Sequence, residues 1–264
     1  MIRVGTLIVV LTVLAATLGP VLTPYDPSAQ TLAERLGPPS AAHPLGLDEL
    51  GRDILSRLLS GARISLLVGL AVVSVSSLIG MTLGSIAGYF GGGIDDLISR
   101  VIDILMAFPG ILLAIALVAV LGPSLTNVVL ALSVIGWVGY ARLVRGQALR
   151  AREFEYVQAA RALGAGPARI VARHVLPTAF PAVIVQATLG MAGAIIAEAS
   201  LSFLGLGVQP PTPSWGTMLD AGRSHLFDAP HLTIFPGLAI ATLVLGFNFL
   251  GDGLRDRIDP KAKA

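Results

Sequence analysis

Arginine is the residue type whose clustering in this sequence most clearly suggests chemistry. The chain is 54% hydrophobic and only 13% charged, yet seven arginines fall between residues 142 and 173. They are Arg142, Arg145, Arg150, Arg152, Arg161, Arg169 and Arg173. A guanidinium group stays charged and recognises carboxylates or phosphates. We therefore expect this interval to lie in water or against a partner, and not in lipid.

The other reactive residue types form no catalytic constellation. The four histidines lie in different segments without the spacing of metal ligands, and cysteine is absent. No G-x-x-x-x-G-K-[S/T] nucleotide motif occurs, and the only lysines are Lys261 and Lys263. We therefore expect no catalytic residue, no metal site and no cofactor in this chain.

Glu198 is the one acidic residue well inside an otherwise apolar stretch, residues 180–204. An intramembrane carboxylate favours a role in a transport pathway. Alternatively, it is protonated or satisfied by a hydroxyl of its own helix, such as Ser200 or Ser202. Both hypotheses stay open at this point. Asp103 is predicted to pair with Arg100, three residues before it.

Long uncharged runs must position these residues, and they predict a polytopic membrane protein. A helix needs about 20 apolar residues to cross the hydrocarbon core. The uncharged run of residues 104–141 is long enough for two crossings, with Gly122-Pro123-Ser124 as the turn between them. Six crossings follow, and the runs that supply them are 4–25, 64–94, 104–141, 180–204, which only Glu198 interrupts, and 232–251.

Two alternatives for these runs are weaker. A cleaved signal peptide would have a shorter apolar run than the first segment, and a small-x-small site would follow it. The strands of a β-barrel would alternate polar and apolar residues, which these runs do not. The sequence therefore predicts an all-α fold.

The distribution of positive charge predicts the orientation. With the N-terminus inside, thirteen of the eighteen Lys and Arg residues fall in inner segments and five in outer segments. Positive residues are retained in the cytoplasm. Both termini and the segment 145–178 are therefore expected to be cytoplasmic.

Segment 145–178 contains the signals of two short helices. Gly164 suits the left-handed position just after a helix end. Gly166 and Pro167 suit an N-cap followed by the first helical position. Pro177 and Pro181 are expected to break the chain before it re-enters the membrane.

Three interpretations of this helix pair compete. It is a topological anchor, a DNA-binding helix-turn-helix, or a docking element for a cytoplasmic partner. Short tethers between two membrane spans argue against nucleic acid as the partner. Small residues would let another backbone approach closely, and they are Ala159, Ala160, Ala162 and Gly164.

Two outer segments are also distinctive. The stretch DELGRDILSRLLSGAR predicts an amphipathic helix lying at the outer membrane surface. It serves either as an interfacial helix beside a gate or as a docking site for a substrate-binding protein. In the second outer loop, Trp215 is predicted to be an interfacial anchor.

Motifs along nearly the whole chain resemble a known family. QAARALG, nine residues and HVLP resemble the cytoplasmic EAA loop of ABC-importer permeases. HPLGLDELGRDILSRLLSGARISLLVG, GYFGGGIDDLISRVIDILMAFP, AEASLSFLGLGVQPPTPSWGTML and GDGLRDRIDP resemble the dipeptide/oligopeptide/nickel group, most closely its second, C-type subunit. The loop departs from the pattern at Gln158, which replaces Glu, and at His174, which replaces Ile; Glu155 is a neighbouring acid.

The resemblance implies the type I ABC-importer permease fold with cytoplasmic coupling helices, in a bacterial inner membrane. Residues 1–64 would form a first transmembrane helix and an extracytoplasmic segment, and residues 65–264 a core of five transmembrane helices. The implied ATPase-coupling residues are Glu155, Gln158, Ala159, Ala160, Gly164, His174, Leu176 and Pro177.

The resemblance also implies partners and a function. The partners are a second permease subunit, two cytoplasmic ATPases that bind the ATP, an extracytoplasmic substrate-binding protein and membrane lipid. The implied function is ATP-driven import of dipeptides or short oligopeptides. Import of nickel or another small solute is the alternative within this class. An ion-coupled secondary transporter is the alternative outside it, although the internal repeat that is usual in that class is not found.

Overall fold

The computed structural model describes residues 1–23 and 25–258, and this part of the chain is helical without a β-strand. The helices are α1 (Ile2–Leu22), α2 (Ile54–Phe90), α3 (Gly92–Met106), α4 (Gly110–Leu121), α5 (Leu125–Ala151), α6 (Glu155–Ala162), α7 (Pro167–Ile170), α8 (Leu176–Phe203), α9 (Trp215–Gly222) and α10 (His231–Ile258). A π-helical turn, Val171–Val175, joins α7 to α8. The predicted all-α fold is confirmed.

Five continuous helical stretches are long and apolar enough to cross a membrane, namely α1, α2, α5, α7–α8 and α10. The pair α3 and α4 also has this character, but a bend of 85° separates the two helices. Counted as one broken span, the pair provides a sixth crossing, in agreement with the predicted six.

The third crossing is therefore bent, a feature that the apolar run alone did not predict. Pro109 disfavours a helical conformation at Phe108 and is itself the N-cap of α4. The 12 residues of α4 extend only about 18 Å. The predicted turn after α4 is present: Gly122 has a φ of +92°, and the Ser124 hydroxyl accepts a hydrogen bond from the Asn127 amide.

Helix α2 begins earlier than predicted. The Asp53 carboxylate caps it by accepting a hydrogen bond of 2.7 Å from the Ser56 amide. The helix then continues without a break for 37 residues, about 56 Å. The predicted separate helix on the membrane surface is therefore wrong, because its residues from Ile54 onward are the first turns of α2.

The predicted break before α8 is also wrong. Helix α7 passes through the π turn into α8, so that residues 167–203 form one helical stretch with Pro181 inside it. In the π turn, the Leu176 amide donates to the Val171 carbonyl, five residues earlier. This wider turn lies directly before Pro177, which can neither donate to the preceding turn nor fit a regular one.

The core of the bundle is formed by α2, α5 and α8, and small residues let α2 and α5 lie close together. A Cβ atom added to Gly80, Gly84 or Gly88 would collide with the backbone of α5. These glycines lie four residues apart and therefore share one face of α2. Such a stripe of small residues is the common means of close packing between membrane helices.

The two chain ends that the structure describes lie together. Helices α1 and α10 run antiparallel, with Gly5 against Gly246 and Leu250 and with Ile2 against Gly253. Both ends are on the side of the bundle where α5 leads into α6. Lys261 and Lys263, which the sequence analysis also considered, lie outside the described residues.

Candidate functional site

The segment 145–178 has a small core of its own. Val157 of α6, Ile170 of α7 and Val175 of the π turn are fully buried. They pack against Tyr89 at the end of α2 and Ala148 of α5. The two short helices are therefore held against the ends of the spanning helices as one packed unit.

The turn between α6 and α7 has the predicted geometry. Gly164 has a φ of +83°, in the left-handed region. Its amide donates to the Arg161 carbonyl at 3.0 Å, and the Ala165 amide donates to the Ala160 carbonyl at 3.0 Å. This pair of bonds is a Schellman motif. Gly166 is the N-cap of α7 and Pro167 its first residue, also as predicted.

The predicted coupling residues lie together on this unit, and their role in coupling stays a prediction. Those that are exposed are Glu155, Gln158, Ala159, Gly164 and Pro177, and those that are half-buried are Ala160, His174 and Leu176. Leu163 is 88% exposed at the tip of the turn. This exposed apolar side chain was not foreseen from the sequence.

The two departures from the family pattern have distinct surroundings. The Gln158 side-chain amide donates to the Glu153 backbone carbonyl at 3.1 Å, across the start of α6. A glutamate at this position would have no N–H to offer that carbonyl. The centre of the His174 ring lies 6.0 Å from the centre of the Tyr156 ring. His174 therefore extends from the π turn towards α6.

Two of the clustered arginines bind acids of α3. Arg145 forms a two-pronged ion pair with Asp95, in which its Nη2 atom is 2.7 Å from Oδ2. The Arg142 Nη2 atom is 2.9 Å from Asp103 Oδ1. The predicted pairing of Asp103 with Arg100 is therefore wrong, because α5 runs beside α3 and offers a closer partner.

A third arginine fastens α6 to the end of α2. The Arg161 guanidinium lies 5.5 Å from the centre of the Tyr89 ring, and its Nη2 atom is 3.4 Å from the Tyr89 hydroxyl. An arginine over an aromatic face is a favourable cation–π arrangement. Segment 145–178 is thus connected to α2 by this contact and to α3 by the ion pair of Arg145 with Asp95.

Glu198 lies at a junction of helices remote from this segment. Its carboxyl group is fully buried, and it accepts hydrogen bonds from Ser202 at 2.7 Å and from Ser65 of α2 at 3.2 Å. Of the two serines predicted to bind Glu198, Ser202 donates to its carboxylate, whereas Ser200 donates to the Ile196 carbonyl. Ser65 was missed because it lies 133 residues away in the sequence.

Helix α9, in the connection between α8 and α10, packs against the same junction. Trp215 is 2% exposed, and its indole N–H donates to the Leu58 carbonyl of α2 at 2.9 Å. The prediction that Trp215 anchors at the membrane interface is therefore wrong. A Cβ on Gly216 would come within 2.6 Å of the Ser202 side chain, so α9 lies directly on α8.

A buried ionic network holds the segment between α1 and α2. Asp48 accepts a hydrogen bond of 2.6 Å from Arg52 and lies 3.4 Å from the Arg57 guanidinium. All three side chains are buried. Beside this network, the His43 Nδ1 atom lies 2.9 Å from the Asp53 Oδ1 atom. The sequence analysis used these arginines only in its count of positive residues in the predicted outer segments. The D-x-x-x-R spacing of Asp48 and Arg52 could have indicated an ion pair between them.

This fold is also found in solved structures of ABC-importer permeases. The inward-facing structure of the MetNI methionine ABC transporter superimposes with a TM-score of 0.62 at 20% identity, over 76% of this chain and 96% of that chain. At that identity the likeness establishes the fold alone. The fold is that of an ABC-importer permease, as predicted.

The sequence then identifies the family. Residues 80–264 match the family described as "Binding-protein-dependent transport system inner membrane component", and the chain belongs to it. It is 48% identical to the dipeptide transport system permease protein DppC of Alkalihalophilus pseudofirmus, over 99% of this chain and 86% of that protein. It is 50% identical to the glutathione transport system permease protein GsiD of Pectobacterium atrosepticum, over 92% and 81% respectively. The resemblance that the motifs indicated is confirmed, and the chain is a transport permease subunit of the membrane.

Proposed function

We propose that this chain is one of two permease subunits of an ATP-driven importer for dipeptides or short oligopeptides in a bacterial inner membrane. The observation that carries the proposal is the identity of 48% with a dipeptide permease along 99% of the chain. The relative named for glutathione fits the same class, since glutathione is a tripeptide. Partners bind the ATP, because the chain has no Walker motif of its own.

Segment 145–178 is the surface that meets a cytoplasmic ATPase. Its exposed tip carries Leu163 beside the small residues of α6, and its interior is packed against α2 and α5. Movement imposed on this tip would therefore reach the spanning helices directly. The other partners in the proposed assembly are a second permease, a second ATPase, an extracytoplasmic binding protein and lipid.

Both termini and segment 145–178 face the cytoplasm in this proposal. The support is the excess of Lys and Arg on that side of the sequence. The division into residues 1–64 and 65–264 stays a prediction, and α2 runs across it. A pathway role for Glu198 also stays a prediction, and its burial between α2 and α8 favours the alternative of a structural link.

Reconstitution of the whole assembly tests the function. Liposomes would contain this chain, a second permease and two ATPases, with binding protein added at the outer face. We expect dipeptide uptake that needs ATP inside and loaded binding protein outside, because both bias the same pair of conformations. Nickel uptake in place of peptide uptake would favour the other solute. Peptide accumulation by this chain alone under an ion gradient would falsify the importer proposal.

A further inference from the structure

Helices α1 and α10 form a groove of about 410 Å³ at the end of the bundle where the two described chain ends meet. The residues that line it are Ile2, Arg3, Thr6, Leu7, Val10 and Arg257. The two helices lie very close here, because a Cβ added to Gly5 would come within 2.5 Å of the Leu250 backbone nitrogen. The groove therefore follows a closely packed seam between two membrane helices.

Two guanidinium groups lie at the end of the groove that is nearest to the chain ends. Gly253 packs on Ile2, and Arg257 lies four residues after Gly253, on the same face of α10. Arg3 directly follows Ile2, and both arginine side chains are exposed.

The two guanidinium groups have no counter-charge within the described part of the chain. The arginines that form ion pairs there are Arg52, Arg57, Arg142, Arg145, Arg152 and Arg223. Arg3 and Arg257 are not among them. The acids that are nearest to Arg257 in sequence, Asp252 and Asp256, do not line the groove. Two positive charges thus share one opening that can accept an anion.

The rest of the groove is apolar and continues along α1. Leu7 and Val10 lie four and seven residues after Arg3, so they share its face of the helix at about 6 and 10 Å along the axis. Leu14 and Leu18 continue the same face, and these four apolar side chains are 46–58% exposed. Helix α1 is also the least buried of the five continuous spans. One surface of a membrane helix therefore has a positively charged end and an apolar track.

We infer that this groove binds one molecule of an anionic phospholipid. The headgroup phosphate lies between Arg3 and Arg257, and one acyl chain follows Leu7 and Val10 along α1. A guanidinium group offers several N–H donors to phosphate oxygens, and basic pockets between membrane helices bind anionic lipid headgroups. A zwitterionic lipid would place its ammonium group near the two arginines, so the site prefers a headgroup with a net negative charge. The inference does not depend on which solute the protein imports.

An arginine at a helix end can also act only as a topological anchor. An anchor acts through its charge, so a neighbouring arginine outside the groove would attract anionic lipid equally well. Arg255 provides this comparison, because it is exposed and lies in the last turn of α10, as Arg257 does. It lies two residues before Arg257, about 200° around the helix, and does not line the groove. Arg255→Gln is therefore the matched control for Arg257→Gln.

Photoactivatable lipids test the inference directly. The full chain would be reconstituted in vesicles that contain equal amounts of phosphatidylcholine and phosphatidylglycerol in both leaflets, so that its orientation does not matter. A trace of one of the two lipids carries a diazirine on its acyl chain, and mass spectrometry after proteolysis measures the labelled fraction of α1. We expect the phosphatidylglycerol probe to label wild-type α1 more strongly than the phosphatidylcholine probe does.

The arginine variants decide whether the two side chains form a site. We expect Arg3→Gln and Arg257→Gln each to lower labelling by phosphatidylglycerol roughly fivefold, the contribution of one basic residue to the binding of anionic lipid. Labelling by phosphatidylcholine should change little, and Arg255→Gln should alter neither. The replaced side chains are exposed, so thermal unfolding should stay at the wild-type temperature.

Three outcomes would overturn the inference. Equal losses in Arg255→Gln and Arg257→Gln would show that charge at the helix end attracts lipid without a site. Equal labelling of the wild type by both probes would show that the groove does not select an anionic headgroup. Loss of the labelling when a second permease is reconstituted with the chain would show that this partner covers the groove. None of these results bears on peptide uptake, which the separate transport assay measures.

Discussion

Replacing Gly164 tests whether the orientation of the short helix pair controls transport. A non-glycine residue at its φ of +83° costs about 1–2 kcal/mol, and a β-branched one is strained most. An added Cβ would meet no atom within 4 Å, so the cost arises in the backbone alone. A free-energy change of this size alters a conformational ratio by a factor of about 5 to 30.

We therefore expect Gly164→Val to lower ATP-driven uptake and ATPase association by roughly five- to thirtyfold, with normal abundance in the membrane. Gly164→Asn should retain most of the uptake, because asparagine tolerates the left-handed region. Gly166→Ser is the matched control: Gly166 also has free space around it, but its φ is −68° and serine is a good N-cap. Wild-type uptake by Gly164→Val in reconstituted liposomes would refute the reasoning.

Three further predictions address topology and the outer half. A cysteine at Ala165 should not react with an impermeant thiol reagent in intact cells, whereas a cysteine at the fully exposed Phe227, in the loop predicted to face outward, should react. The chain has no native cysteine that would interfere with this labelling. The reverse labelling pattern would show that the predicted orientation is inverted. In a thermal unfolding assay, Asp48→Asn should lower the free energy of unfolding by about 3–5 kcal/mol because it leaves buried guanidinium groups unpaired. The control Asp220→Asn breaks an exposed ion pair with Arg223 and should lower the free energy of unfolding by about 1 kcal/mol or less in the same assay. The Glu198→Gln protein should keep its abundance and its uptake, because the amide oxygen still accepts a hydrogen bond from a serine. Glu198→Ala should instead lower the free energy of unfolding by about 2–4 kcal/mol. A folded Glu198→Gln protein without uptake would favour a role of Glu198 in the transport pathway.

Features that depend on a few neighbouring residues were predictable from the sequence. The left-handed turn at Gly164 and the helix start at Gly166–Pro167 follow from backbone preferences that act locally. The apolar runs likewise predicted the spans, since length and composition alone determine whether a helix can cross a membrane.

Features that depend on packing were not predictable in this way. Asp103 pairs with Arg142, 39 residues away, because α3 and α5 lie side by side. The pairing of Ser65 with Glu198 requires knowledge of how α2 meets α8. The continuous helix through Pro177 also escaped prediction, because propensity marks proline as a break and does not foresee the π turn that accommodates it.

The unbroken helix α2 has a mechanical consequence. At about 56 Å it is nearly twice as long as the hydrocarbon core is thick. Its first turn carries Arg57 of the buried ionic network around Asp48, and its last turn carries Tyr89, which Arg161 contacts. A stiff rod of this length that tilts by about 10° around its centre displaces each end by about 5 Å, in opposite directions. One helix would thus act as a lever that reports a push at the cytoplasmic face to the opposite side of the membrane.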